Sequence, residues 1–237
     1  MNARDEKEKM TVKNYKKYYI EIDCAIFNLQ EDGLKVLVVK DIDDLGVTHW
    51  RLAHDWLKKD KTILETASGI LKRCIGENSS YLEQVKAFGF TSSYSIKEDI
   101  SIGYYALVRI ISNDLEKHIA EGHTKWIGIN ETSCLNDKDT VILNYCIQEI
   151  RDSICKTAIG FNLLPEKFTL AQIIHLYKEI LGIDIDKSNF RRKILATGLL
   201  SDLYEKEENV SHRAARFYKL SLQHQEILLN KELNFHF

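Results

Sequence analysis

The densest run of side chains able to do chemistry lies between residues 187 and 193: Lys187, Ser188, Asn189, Arg191, Arg192 and Lys193. No acidic residue occurs from Lys187 to Leu200. Short polar and basic side chains on one helix suit the major groove of DNA. Asn and Arg read base edges through paired hydrogen bonds, and Lys meets phosphates. Asn189 and Arg192 are therefore candidate base readers, and Lys187 and Lys193 candidate phosphate contacts. Ser188 and Arg191 belong to the same run. A second basic group, His212, Arg213, Arg216 and Lys219, lies in a stretch free of acid from Asn209 to Gln225. The nearby acids gather at Glu205, Glu207 and Glu208. The competing reading of both clusters is ordinary solvated charge on a small helical domain.

Other chemistry is thinly represented. The five cysteines, Cys24, Cys74, Cys134, Cys146 and Cys155, are widely spaced and form no CxxC pair. That pattern is neither a disulfide framework nor a structural zinc site. Cys24, Cys146 and Cys155 stand among apolar neighbours and are expected as buried thiols, in a reducing cytoplasm. No His, Cys or Asp cluster has metal-ligand spacing, no Ser-His-Asp arrangement is evident, and no GxGxxG or phosphate-loop motif occurs. Neither a cofactor nor a metal is expected.

The 237 residues allow two small domains. With Lys+Arg at 33 and Asp+Glu at 35, the formal net charge is -2, which excludes a uniformly basic surface. Nucleic acid must therefore be met by a local patch. The charged fraction of 29% and a mean hydropathy of -0.28 fit a soluble chain. The N-terminus has no apolar core of signal-peptide type. No apolar run approaches the ~20 residues needed to cross a bilayer.

These candidate residues need elements to position them. Residues 1–17 are polar and read as a flexible arm. Tyr19–Leu29 and Lys35–Lys40 read as two strands joined by a turn at Glu31-Asp32-Gly33. After His49–Leu57, a helix runs from about Thr62 to Ile75, capped by Thr62 or Asp60 and ended by Gly76. Strands are expected at Tyr81–Phe88, Ile100–Ile111 and Trp126–Ile129. A long helix is expected at about Asp139–Gly160. Mixed strands with two helices give an α/β sandwich over residues 18–160.

The pattern changes near Pro165, the chain's one proline. Thr169, with Gln172 three residues on, has capping-box spacing. Leu170, Ile173, Ile174, Tyr177, Ile180 and Leu181 make the buried face of that helix, and Gly182 ends it. Asp186 caps a second helix reaching about Ala196, with Phe190, Ile194 and Leu195 inward. Strands Leu199–Tyr204 and Ala214–Leu220 come next, joined by the polar link Glu205–Arg213. Helix, turn, helix, hairpin is the order of a winged helix-turn-helix, here spanning residues 161–237 with a tail suited to packing on a partner subunit or on the domain junction.

The stretch LLPEKFTLAQIIHLYKEILGIDIDKSNFRRKILATGLL, with RAARFYKL after it, closely resembles the C-terminal domain of the Nudix-related bacterial transcriptional regulators. DCAIFNLQEDGLKVLVVK resembles their first hairpin, HWRLAHDWLKKDKTILETASGILKRCIG occupies the place of the Nudix box, and YLEQVKAFG resembles the stretch C-terminal to the box. The resemblance covers about residues 18–225. It implies a Nudix-like α/β/α sandwich with a mixed sheet, followed by a winged helix-turn-helix. A working box reads Gly, five residues, Glu, seven residues, then Arg-Glu-apolar-x-Glu-Glu-x-Gly-apolar. Here Asp55 replaces the first Gly and Lys61 the first Glu. Gly69-Ile70 replaces Arg-Glu, and Arg73-Cys74 replaces Glu-Glu. Leu71 and Gly76 remain, and Glu65 lies outside the acidic pattern. Mg²⁺ needs hard oxygen ligands, so the eroded box implies no catalytic residues and no enzyme.

The resemblance further implies a homodimer that binds a double-stranded DNA operator through its winged helices and answers to a small-molecule effector. The lost acids favour the sugar-responsive, arabinose-regulator-like branch, hence a sugar or sugar phosphate. The alternative is an ADP-ribose sensor, and a remoter one an atypical hydrolase. A module that binds only protein is a third rival. His54, Asp55 and Trp56 are the pocket candidates for an aromatic face and polar edge over a sugar. Lys61 and Arg73 are candidates for an anionic group. Trp50 is expected in the core. Arg213 and Arg216 are expected at phosphate or an adjacent minor groove, with bracing of the hairpin the other role for Arg216.

Overall fold

The computed structural model describes residues 19–42, 46–76, 80–90, 99–109, 122–208 and 214–221. The expected arm, Arg213 and the C-terminal tail lie outside the described residues.

Six strands form one mixed sheet in the order β4-β5-β1-β3-β2-β6. They are β1 (Tyr19–Gln30), β2 (Gly33–Ile42), β3 (Thr48–Trp56), β4 (Ser80–Phe90), β5 (Asp99–Val108) and β6 (Thr124–Gly128). β1 runs parallel to β5, while its other pairings are antiparallel. Successive side chains of a strand face opposite sides. Ile22, Cys24 and Ile26 of β1 therefore meet helix α1 (Ile63–Ile75), whose inward residues are Ala67, Ile70, Leu71, Cys74 and Ile75. Ala25 and Phe27 face the other way and join Ile142, Leu143, Cys146, Ile147, Ile150 and Ile154 of helix α2 (Asp137–Ile154). A sheet covered on both faces gives the expected α/β/α sandwich and explains why β1 reads as a nearly unbroken apolar run.

Capping is visible in detail. The Thr62 hydroxyl accepts the Glu65 N–H at 3.1 Å, and the Glu65 carboxylate accepts the Thr62 N–H at 2.8 Å. Glu65, which lies outside the acidic pattern of the box, is thus half of a capping box. The second long helix departs from expectation. It starts at Asp137 because the Asn136 side chain accepts the Asp139 N–H at 2.7 Å. It ends at Ile154 because the Ser153 carbonyl takes the N–H groups of Lys156 and Thr157. A 3-10 turn, Ile159–Leu163, replaces the expected last helical turn.

The C-terminal part carries a three-stranded sheet, β7-β9-β8, of β7 (Phe168–Thr169), β8 (Leu200–Lys206) and β9 (Arg216–Leu220). Helices α3 (Leu170–Leu181) and α4 (Lys187–Ala196) pack beside it. The Thr169–Gln172 capping box is present, and Gly182 closes α3 in the left-handed conformation at φ 68°. The Asp186 carboxylate accepts the N–H groups of Ser188 and Asn189 at 2.9 and 3.0 Å. Phe190 and Ile194 are fully buried, and the Phe190 ring meets Tyr177 edge-on at 5.1 Å. Leu195, expected inward, is 40% exposed, and Leu176, missing from the expected buried face, is fully buried. Helical residues three or four apart share a face. Phe190 and Ile194 set that face, and Leu195 falls one position off it.

The two halves share a core. One apolar cluster runs from Phe27, Ile150 and Ile154 through Ile159, Phe161 and Leu163 to Phe168, Ile173, Tyr177, Phe190 and Tyr218. Hydrogen bonds cross the same junction: Arg151 Nε to the Ile180 carbonyl at 2.8 Å and the Tyr177 hydroxyl to the Ile154 carbonyl at 3.2 Å. The β1–β2 turn joins in. His175 Nε2 lies 3.0 Å from the Gln30 carbonyl oxygen. A Cβ at Gly33, where φ is 126°, would come within 2.8 Å of Glu179 Oε2, so this turn requires glycine.

Candidate functional site

A cleft of about 770 Å³ opens between α3, α4 and the β8–β9 hairpin. Lys187, Ser188 and Arg191 of α4 line it, with Lys178 of α3 and Lys206 and Arg216 of the hairpin. Leu170, Ala171, Ala214 and Ala215 supply small or apolar surface. Five cations line one groove; Lys178 is paired with Asp184 at 2.9 Å and Arg216 with Asp202, and Lys187, Arg191 and Lys206 supply most of a local field that attracts a phosphate backbone in a chain of net charge -2. The structure thus brings Lys187, Ser188, Arg191 and Arg216 together. Asn189 and Arg192 are not among the lining residues and bond to each other, Arg192 Nη2 to Asn189 Oδ1 at 2.8 Å. Lys193 is half-buried and also off the cleft. Arg216 Nη1 lies 2.9 Å from Asp202 Oδ2, so it braces the hairpin while remaining about half exposed. Arg213 lies outside the described residues.

On the sandwich, His54, Asp55 and Arg73 meet. Arg73 donates to Asp55 Oδ2 at 3.0 Å and to the His54 carbonyl at 2.8 Å. Partial burial opposes ionisation of Asp55, but the hydrogen bond and charge of Arg73 outweigh it and hold the carboxyl below its ordinary value. Trp56 is 43% exposed and meets the Tyr19 ring edge-on at 6.2 Å. Lys61 is exposed near the start of α1, apart from that group. Trp50 is only partly buried, with Lys125 Nζ 4.3 Å from its ring centroid.

The box helix does not fit a divalent cation. Where the resemblance expects Glu-Glu, the structure has the Arg73 guanidinium and the buried Cys74, whose thiol pKa is pushed up to about 11 by burial. Among the described residues no cluster of His, Cys, Asp and Glu is arranged to hold a metal ion. Because Arg73 and Asp55 are an exposed pair, Arg73→Ala is expected to change stability by no more than about 1 kcal/mol. A thermal melt checks this, and it makes the variant a clean probe of ligand binding.

One constellation was missed from sequence. Arg51 stands where β1 leaves β3: β1 pairs with β3 over Glu21–Cys24 and with β2 over Ile26–Gln30. Its guanidinium lies 3.2 Å from Glu21, 3.3 Å from Asp23, and 3.4 Å from both Asp41 and Asp139. Lys138 pairs with Glu21 and, at 3.2 Å, with Asp23. Burial works against the Arg51 charge, yet Asp139, Glu21 and Asp23 more than offset it and raise its pKa. Burial also raises the Asp23 carboxyl, and it would raise Glu21 too, were it not for Lys138 and Arg51, which hold that group low. His54 Nδ1 lies 2.9 Å from the Leu52 carbonyl oxygen, which assigns its proton there and leaves Nε2 to accept from Arg51 Nη1 at 3.2 Å. The network ties the strand carrying His54 and Asp55 to the start of α2.

Fold and cleft together define a Nudix-like sandwich fused to a winged helix-turn-helix. Residues 160–220 match the family profile described as the NrtR DNA-binding winged helix domain. The chain is 24% identical over 215 residues to the ADPR responsive transcriptional repressor NtrR of Acinetobacter baylyi, covering 89% of this chain and 85% of that protein. The crystal structure of Shewanella oneidensis NrtR complexed with a 27mer DNA superposes with a TM-score of 0.76 at 21% identity, over 90% of this chain and 99% of that one. A MutT/nudix family protein from Enterococcus faecalis superposes with a TM-score of 0.63 at 16% identity, over 93% and 99%. The chain is thus similar to the Nudix-related transcriptional regulators, in sequence over its winged helix and in fold over most of its length.

Proposed function

We propose that this chain is a ligand-responsive, DNA-binding transcriptional regulator, with residues 161–237 as reader and 18–160 as sensor. The observation that carries the reading is the basic cleft of Lys178, Lys187, Arg191, Lys206 and Arg216, which lies within the segment matching a DNA-binding winged helix. The cleft supplies phosphate contacts, and the exposed face of α4 supplies polar groups for base edges. Two copies related by a two-fold axis suit a pseudo-palindromic operator in the cytoplasm.

For the effector, the ADPR responsive relative favours a nucleotide-derived compound such as ADP-ribose over the sugar that the eroded box suggested. Exposed Arg73 offers a cation to a diphosphate, and half-exposed Trp56 offers a ring to a base. Sensing needs no hydrolysis, in keeping with a box helix that presents Arg73 in place of a carboxylate.

The test is a DNA titration with the chain's own upstream region and a scrambled control, repeated with ADP-ribose and a panel of sugars. Specific binding that weakens with salt and shifts with ADP-ribose is expected. Lys187→Ala/Arg191→Ala is expected to lose at least about tenfold in affinity and to flatten the salt slope by about 2, since each lost phosphate contact removes about one unit. No specific binding at any salt, with or without compounds, overturns the regulator reading. Mg²⁺-dependent cleavage of ADP-ribose to AMP and ribose 5-phosphate overturns its non-enzymatic part.

A further inference from the structure

The β8–β9 hairpin holds one residue against its own interest. Tyr204 has φ 57°, the only positive φ of a non-glycine residue among those described. A bulky side chain in that region is a backbone outlier that glycine or asparagine would relieve. Tyr204 is also 88% exposed, more than any other large apolar side chain among the described residues. The strand thus carries local strain to keep an aromatic ring in water.

The neighbours maintain that conformation. The register of β8 against β9 shifts between Asp202 and Lys206, which leaves Tyr204 in a bulge. Asp202 Oδ1 accepts the Tyr204 N–H at 2.7 Å, and Asp202 Oδ2 takes Arg216 Nη1 at 2.9 Å. One carboxylate therefore fixes both the bulge and the facing strand. Strain that surrounding contacts maintain tends to mark functional positions.

The surroundings indicate the partner. Lys206, two residues on, and Arg216, across the hairpin, both line the basic cleft with Lys187 and Arg191. Two of the three acids that follow the ring are engaged: Glu205 pairs with Lys167 at 2.6 Å, and Glu207 accepts the Ala215 N–H at 3.0 Å, while Glu208 is exposed farther along. Tyr204 is not itself among the lining residues, but it stands on the strand that carries Lys206 into the cleft, so a polyanion longer than the cleft that follows the hairpin would meet the ring. A flat ring with a hydroxyl edge fits the apolar deoxyribose and the adjoining phosphate oxygen.

We propose that Tyr204 is a DNA contact of the wing, packed on the sugar–phosphate backbone of the strand that the cleft holds. This rests on the DNA-binding reading above. The test is fluorescence anisotropy of the full-length chain on its upstream DNA over a range of salt, with Tyr204→Phe, Tyr204→Ala and Tyr204→Gly, alongside thermal melts and sedimentation. Tyr204→Ala is expected to weaken binding roughly tenfold, in the range found when aromatic contacts to nucleic acid are removed. Tyr204→Phe keeps most of the affinity. The salt slope is unchanged, because a neutral side chain releases no counterion. Tyr204→Gly weakens binding like alanine yet melts no lower than wild type, which separates contact from stability.

If wild type binds DNA and all three variants bind equally well, the inference fails and the regulator reading stands. If wild type binds no DNA, the regulator reading itself fails. A Tyr204→Ala chain that loses self-association while its assembled form keeps full DNA affinity overturns the inference in favour of a contact between copies.

Discussion

Arg51→Ala is expected to destabilise the protein by about 3–5 kcal/mol, the usual cost of removing one partner from a buried ion network. For a chain of this length that lowers the melting temperature by roughly 6–20 °C. The loss comes chiefly from what stays behind. Asp23 and Asp139 are fully buried and Glu21 nearly so. Without the guanidinium, Lys138 remains beside Glu21 and Asp23, and His54 Nε2 lies 3.8 Å from Glu21. Among the described residues, the Asp139 carboxylate keeps only the Leu52 N–H, at 3.1 Å. Urea unfolding of Arg51→Ala, Asp139→Ala and the double variant measures the coupling. The double variant is expected to be less damaged than the sum of the singles, because it leaves one fewer uncompensated charge. Strict additivity would show that the guanidinium and Asp139 do not act on one another.

Phe190→Ala is expected to cost about 3–5 kcal/mol, in the range for deleting a fully buried aromatic ring. Phe190 and Ile194 anchor α4, and Phe190 is the larger: its ring packs on Tyr177, and the other residues of the helix are exposed or half-buried. DNA affinity should fall with stability, because Lys187, Ser188 and Arg191 are held in the cleft by the helix that Phe190 seats. Leu195→Ala on the exposed side is the control and should stay within about 0.5 kcal/mol of wild type. Chemical denaturation and DNA titration of both variants check the pair. A Leu195 effect as large as that of Phe190 would mean the face of α4 is misassigned.

What sequence made legible here was local. Thr169 with Gln172, Asp186 before Lys187, and Gly182 after Leu181 are signals between near neighbours, and each occupies its expected place. The basic run on α4 was equally local, but its sorting into cleft-lining Lys187, Ser188 and Arg191 and off-cleft Asn189, Arg192 and Lys193 depends on the hairpin across the groove. β3 received no element from sequence, because Arg51, His54 and Asp55 interrupt its apolar pattern. They do so because the strand carries a buried ion network. The partners of Arg51 lie 10, 28, 30 and 88 residues away, a separation that no short motif reports.

The cluster of apolar side chains running from α2 through the 159–163 turn into α3 and α4 has a consequence for heredity. The sandwich and the winged helix are joined by interdigitated side chains such as Ile154, Phe161 and Tyr177. A lineage cannot exchange one half for a foreign counterpart without refitting that seam. Descendants are therefore bound to vary at the two free surfaces, the effector face and the cleft. On the proposed function, ligand and operator preferences would drift independently there, while the junction is inherited as a block.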